Sequence, residues 1–367
     1  IFMSNFVGAF GDGLYSYLLP HYMSLALGAS SSEIGILYTV TALASVITLM
    51  IAGIIADRYD RKKIIIAAWL VWLPVPLMFS LAKNWLQMLP GMILYGFWLS
   101  GPTGTAYVVT AADKSQLTLT FTILSSSWSL GYIFSPALGG YLAEKYGMHL
   151  VFHLAFILYL AALLLLFPIG SQLVGKSAES QPSFLEILKS RMLVFLSIFF
   201  AALMFTLLMI RPFIPKFLSE TYGYGDFEIG LFGSISFAGS VILGILLGKL
   251  GDKLGKSYSL AISMSIYSVS ILILLTSGGC SLLALSAFLS GVSYISWSLM
   301  SAIIGPLAPE SARARWISVP QTISMAVSFM APYVGGILYG LWAPLPFIVT
   351  IFSCITMAVI ALCKMKL

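Results

Sequence analysis

The chain is a succession of apolar runs, each about as long as a bilayer is thick, and this restricts its fold more than any single motif. About 20 apolar residues in a helix cross ~30 Å of hydrocarbon. Twelve segments meet that measure, at 2–27, 32–56, 63–82, 86–111, 118–143, 149–169, 192–217, 228–250, 257–277, 281–306, 314–340 and 344–363. Lipid offers no partner to a backbone N–H or C=O, so an open chain satisfies both only by coiling into helices. Of the 367 residues 59% are hydrophobic and 9% charged, against roughly 25% charged in a soluble domain. The expected fold class is an all-α polytopic membrane protein with twelve transmembrane helices.

Where the charges fall sets the orientation. Gly53-Ile54-Ile55-Ala56-Asp57-Arg58-Tyr59-Asp60-Arg61-Lys62-Lys63 is a short charged turn between two bilayer-length runs. Cations beside the hydrocarbon resist translocation and mark the cytoplasmic face. With a cytoplasmic N-terminus, fifteen of the nineteen Lys and Arg residues lie on inside loops, three outside (Lys83, Lys145 and Lys216), and Arg211 remains in a helix. Both termini are thus expected in the cytoplasm, with the chain multi-pass in the cell membrane. The net charge of +6 sits in membrane-flanking loops and not on one soluble face, which excludes a nucleic-acid partner. Cys280, Cys354 and Cys363 have neither disulfide nor metal spacing. His21, His149 and His153 likewise lack metal-ligand spacing, and no cofactor is expected. No cleavable leader is read, and Ile1 opens inside an apolar run, as if native residues had been trimmed.

One long polar connector, 171–190, splits the chain into six helices (1–170) plus six (191–367), with Phe184-Leu185-Glu186-Ile187-Leu188-Lys189 as a short amphipathic helix. The halves repeat. At an offset of 195, Pro20 falls on Pro215, Glu33-Ile34-Gly35 on Glu228-Ile229-Gly230, Gly53 on Gly248 and Asp57 on Asp252; at 196, Pro136 meets Pro332 and Gly139-Gly140 meet Gly335-Gly336. Six is even, so both halves start on the same side. The expected arrangement is two six-helix bundles related by a pseudo-twofold axis along the membrane normal.

With that repeat and the Gly53–Lys63 turn, the chain resembles a major facilitator superfamily transporter. The turn follows the superfamily's Gly-x-x-x-Asp-Arg-x-x-Arg-Lys pattern after the second helix, with Asp60 where Gly is usual. The resemblance implies that Asp57 reaches the start of the eleventh helix and holds an inner gate, an anion being favoured at a helix N-terminus. Arg58 and Arg61 would pair with Asp113 or Glu310. Gly131-Tyr132-Ile133-Phe134-Ser135-Pro136-Ala137-Leu138-Gly139-Gly140 resembles the antiporter motif, with Ser135 for its first Gly. Pro136, Gly139 and Gly140 would let helices pack closely and bend. The same pattern at Pro332-x-x-Gly335-Gly336 leaves plain helix packing equally open.

Asp12 is the one carboxylate deep in a helix, ~16 Å from Ile1 along the axis at ~1.5 Å per residue. Charge at mid-membrane costs at least ~2.5 kcal/mol, so such a group faces a cavity or a partner. It is the candidate proton carrier, with interhelical bridging as the alternative. Arg211 is the candidate partner that senses it, or else it snorkels to the headgroups beside Pro212 and Pro215. Tyr15, Tyr95, Trp98, Tyr294, Trp297 and Gln321 are candidates for the substrate cavity, which the resemblance places among the first, fourth, seventh and tenth helices. Amides are scarce in the helices, which argues against sugars. No phosphate-binding glycine loop is present, so ATP-driven transport is not indicated. The expected function is secondary transport by alternating access, not enzymatic catalysis. It is read as proton-coupled export of hydrophobic or amphiphilic small molecules by a monomer in the lipid bilayer, resembling the drug–proton antiporter branch. The alternative is uptake of a small nutrient or organic anion with Arg211 as its charge partner.

Overall fold

A computed structural model describes every residue except 57, 112–116, 173–189, 308–312 and 365–367, and leaves the side-chain surroundings of some helical residues, Gly53 and Pro102 among them, undescribed. The described residues form helices and connecting turns, with no strand among them. In chain order they are α1 (Phe2–Ser16), α2 (Leu19–Leu25), α3 (Ser31–Ala56), α4 (Arg61–Trp72), α5 (Val75–Leu81), α6 (Trp85–Tyr95), α7 (Ser100–Ala111), α8 (Leu117–Tyr146) and α9 (Met148–Leu164). There follow α10 (Arg191–Ile210), α11 (Phe213–Tyr222), α12 (Asp226–Leu254), α13 (Lys256–Thr276), α14 (Cys280–Ser290), α15 (Ser296–Ile304), α16 (Arg313–Ser328), α17 (Ala331–Leu341) and α18 (Leu345–Lys364). Eight helical stretches among them are long and apolar enough to cross a membrane. The remaining expected segments hold α1–α2, α6–α7, α8 and the shorter apolar α9.

Several expected segments are two helices joined by a break, and proline explains most breaks. Pro lacks an N–H, which costs nothing in a helix's first turn but removes a hydrogen bond further in. Pro20, Pro76 and Pro332 stand at the starts of α2, α5 and α17, and Pro212 lies between α10 and α11. Arg211, expected inside a helix, is therefore the exposed C-cap residue of α10. The break between α6 and α7 has no proline, and three of its backbone groups are met by neighbouring side chains. Ser45 donates to the Gly96 carbonyl at 2.9 Å, the Trp72 indole to that of Phe97 at 2.8 Å, and Thr48 accepts from the Trp98 N–H at 3.2 Å. Such compensation is what permits irregular backbone at membrane depth. Gly147 and Gly255 turn α8 into α9 and α12 into α13 with φ of +85° and +102°, a region costly for a side chain.

The chain divides into two compact units, Ile1–Ser177 with Pro215–Ser234, and Ala178–Ile214 with Ile235–Leu367. In the first, α1 packs on α8 and α9; in the second, α10 packs on α16 and α17, and α13 on α18. The close approaches repeat as the sequence does. A side chain at Gly139 would collide with the Leu14 carbonyl and one at Gly335 with that of Met209; Gly96 and Gly291 bear the same relation to the carbonyls of Thr41 and Ser236. Each second contact is the first displaced by the repeat offset.

Asp60, the departure from the loop pattern, caps α4. Its carboxylate accepts from the Lys62 N–H at 3.0 Å and from the Gln172 N–H at 3.0 Å. Burial opposes the charge, but these two bonds, with the Ser171 hydroxyl and the nearby Lys63 ammonium, outweigh it and lower the carboxyl's pKa below its ordinary 3.8. A lowered folded-state pKa gives stability that is present above the unfolded value and lost as pH falls through the folded one. Asp60→Asn keeps a capping oxygen but not the charge. Its melting temperature is expected to lie below that of the parent at neutral pH and to converge with it below about pH 4. Parallel melting curves across that range would contradict this.

Candidate functional site

The site is centred on Asp12. Gly11, Asp12, Gly13 and Leu14 are all buried where α1 passes between α8 and α9. The glycines make room: a side chain at Gly11 would meet Leu158 and Tyr159, and one at Gly13 the Ser135 hydroxyl. The residues of the antiporter-like stretch serve the same crossing, because a side chain at Gly131 would strike Ala9 and Phe10 and one at Gly139 the Leu14 carbonyl. Within the same unit, Gly140 abuts the carbonyl of Asp226, and Gly230 that of Pro136.

Asp12 is 3% exposed, and among the described residues its hydrogen bonds are to phenols. Tyr159 donates to Oδ1 at 2.7 Å and Tyr95 to Oδ2 at 3.1 Å, and Tyr132 donates to Oδ2 through a short contact. Behind Tyr159 lies Tyr15, with the two hydroxyls 2.9 Å apart. A phenol carries a single hydrogen. Tyr159 spends its own on Asp12, so Tyr15 must be the donor, which sets the chain Tyr15 to Tyr159 to Asp12. Tyr15 and Tyr159 are fully buried. Aromatic neighbours hold the rings: Phe79 and Phe152 edge-on to Tyr15 at 5.9 and 5.6 Å, and Trp69 edge-on to Tyr159 at 5.8 Å.

The partners bear differently on the two protonation states of the carboxyl. Bonds from donors to an ionised acceptor are the strong kind, so the carboxylate is well held. Its partners are neutral, and discharging it leaves no buried cation stranded, which in a salt bridge would cost several kcal/mol. A protonated carboxyl becomes a donor itself, and one phenol then has to turn and accept. On the Oδ1 side the whole chain can reverse, with Tyr159 donating back to Tyr15.

The other expected residues fall as follows. Tyr15 and Tyr95 belong to the cage around Asp12, and Trp98 is 43% exposed at the α6–α7 break. In the second unit the Arg211 guanidinium lies over the Tyr294 ring, 4.5 Å from its centroid, and Tyr294 packs on Phe237 at 4.7 Å. There too the Gln321 amide donates to the Ser301 hydroxyl at 3.2 Å, which itself donates to the Trp297 carbonyl at 3.2 Å. Arg58 and Asp252 are exposed. Arg61 donates to the Ala106 carbonyl at 3.0 Å and the Thr110 hydroxyl at 2.5 Å, tying α4 to α7. Asp57, Asp113 and Glu310 lie outside the described residues. Of the cage members, Tyr132 lies in the antiporter-like stretch and Tyr159 in an apolar helix, and nothing in the sequence marks either as a partner of Asp12. His21 is 4% exposed, with Nε2 at 3.3 Å from Asp226 of the same unit.

A model of the Major Facilitator Superfamily matches residues 1–225 and, in a second match, 194–367. Multidrug resistance protein 2 of Bacillus subtilis is 27% identical over 279 residues, 70% of this chain and 67% of that protein. Multidrug resistance protein MdtG of Salmonella paratyphi A is 30% identical over 250 residues, 65% of this chain and 61% of that one. The chain thus spans about two-thirds or less of the length of these relatives. Among solved structures, the nucleoside transporter NupG superposes with a TM-score of 0.78 at 15% identity over 100% of this chain and 98% of its own. The peptide transporter POT in complex with sulfate gives 0.79 at 16% identity over 98% and 92%; at such identities the likeness shows the fold alone. Because the two family matches together run from the first residue to the last, the chain belongs to the Major Facilitator Superfamily and is a membrane transporter, not an enzyme.

Proposed function

We propose that this chain is a secondary active transporter of twelve spans, six in 1–170 and six in 191–367 joined by 171–190, that exports hydrophobic or amphiphilic small molecules in exchange for protons by alternating access. The observation that carries the reading is a buried carboxyl whose hydrogen-bond partners are three neutral phenols. Such a group changes charge at the least cost to its surroundings, and its two states impose different hydroxyl orientations on α6, α8 and α9. A proton can therefore alter how those helices are held. The multidrug names of both relatives favour export of apolar cargo. Asp12 is the proton site; Arg58 and Arg61 with the glycines of α8 take part in gating.

The test uses proteoliposomes with an imposed pH gradient, a fluorescent amphiphilic dye and a pH indicator. Dye movement that follows the gradient, together with counterflow of protons, is the expected result. Dye movement indifferent to the gradient would overturn the coupling. A second reading, uptake of a small anion, draws on the exposed guanidinium of Arg211 above Tyr294. It predicts that Arg211→Ala abolishes binding of a carboxylate cargo, whereas the export reading predicts no such binding in the parent.

A further inference from the structure

The first unit holds a cavity of about 250 Å³ whose walls include Asn5 of α1, Trp69 of α4, Trp98, Gly104 and Thr105 at and beyond the α6–α7 break, and Trp128 of α8. No charged side chain lines it. Three indoles from different elements make it aromatic on several sides. The Asn5 amide and the indole N–H groups of these three tryptophans have no hydrogen-bond partner among the described residues. The polar atoms are available to something held inside. A cavity of ~150 Å³ takes one benzene ring and drug-sized ligands occupy ~300–1,000 Å³, so this one fits a molecule of one or two rings.

Its position relative to the acid is fixed by helix geometry. Asn5 precedes Asp12 by two turns, which puts both on one face of α1 about 10 Å apart along the axis. Two of the walls continue into the cage. Trp69 packs edge-on against Tyr159 at 5.8 Å, and Trp128 stacks on Tyr132 at 6.3 Å with the rings 19° from parallel. Both tyrosines donate to Asp12.

We propose that this cavity is a cargo subsite for a compact planar aromatic molecule of one or two rings bearing a hydrogen-bond acceptor, and that its occupant presses on the phenols holding Asp12 through Trp69 and Trp128. The word cargo rests on the transport reading above; the binding site rests on the cavity alone. Aromatic walls favour a flat ring, and the unpartnered amide and indole N–H groups favour an acceptor on its edge.

Quinoline, a two-ring molecule with one acceptor nitrogen, is the probe. In purified protein without any gradient it is expected to bind saturably and to quench part of the tryptophan emission. Gly104→Leu fills the cavity, since nothing lies within 4 Å of where its Cβ would stand. It is expected to keep the parent's melting transition and weaken quinoline about ten-fold or more. Should Gly104→Leu fail to fold, Asn5→Leu carries the same test through the lost amide. Asp12→Asn is expected to shift quinoline affinity about five-fold or more, because coupling between two sites is reciprocal. No saturable binding, or equal binding in parent and both cavity variants, would overturn the site; equal affinity in parent and Asp12→Asn would overturn the link. The transport reading fails separately, in the gradient assay, whatever quinoline does.

Discussion

Asp12→Asn is expected to abolish gradient-driven transport while leaving a folded protein. The amide has nearly the shape of the carboxyl, and its chemistry is that of the protonated state. Its oxygen still accepts from Tyr159, and its NH₂ offers two hydrogens to Tyr95 and Tyr132, whose hydroxyls turn to accept them. The variant is thus fixed in one of the two hydrogen-bonding states, so uphill dye movement in proteoliposomes should fall to the liposome background while downhill exchange persists. Melting within a few degrees of the parent is expected. Asp12→Leu differs, because it takes their acceptor from three phenols in a buried site, at ~1–3 kcal/mol for each group left unsatisfied, and should melt far lower. Tyr159→Phe breaks the chain between Tyr15 and the acid and should fall between the two in stability. Uphill transport in Asp12→Asn at the parent rate would remove Asp12 from the mechanism.

Gly139→Leu is expected to yield no folded protein, and Gly335→Leu to do the same in the other unit. The obstacle at each position is a backbone carbonyl, of Leu14 and Met209 respectively. A side chain has rotamers to escape into; a carbonyl inside a helix does not, so the whole helix has to move. Gly139→Ala carries only the first carbon of the offending side chain. It should lower stability by ~1–3 kcal/mol, the ordinary cost of overpacking, read as a drop in melting temperature and in monodisperse yield. The two alanine variants are expected to cost alike, because the repeat places both glycines against equivalent carbonyls. Gly104→Leu is the internal control: it too puts leucine for glycine in a helix, but into open space. Leucine is the better helix former, so propensity alone favours both variants; equal losses from Gly104→Leu and Gly139→Leu would show that close packing at Gly139 is not the cause.

Asp12 was legible in the sequence because a lone carboxylate in an apolar run has no cheap place to be. Its cage was not. Tyr95, Tyr132 and Tyr159 stand 83, 120 and 147 residues away along the chain, and a tyrosine in an apolar helix reads equally as core, headgroup anchor or cavity wall. Residue type and helix mark Tyr15 and Tyr95 as cavity candidates; the fold turns them toward the acid. Arg211 was visible as a misplaced charge, but its place at a helix break follows from how the Pro212 backbone runs, which hydropathy does not report. The cavity beside Asn5 left no trace in the sequence, since three tryptophans spread over residues 69–128 form no motif.

Hydrocarbon tolerates only satisfied backbone and uncharged surface, so the pattern of apolar runs and flanking cations sufficed to determine an all-helical membrane protein, and the offset of 195 to 196 residues its internal duplication. Contacts between helices carry no such one-dimensional signature. Which phenols turn inward to hold Asp12, and which glycines let one backbone lie against another, depends on the rotation and depth of each helix against its neighbours. Only the tertiary structure decided that.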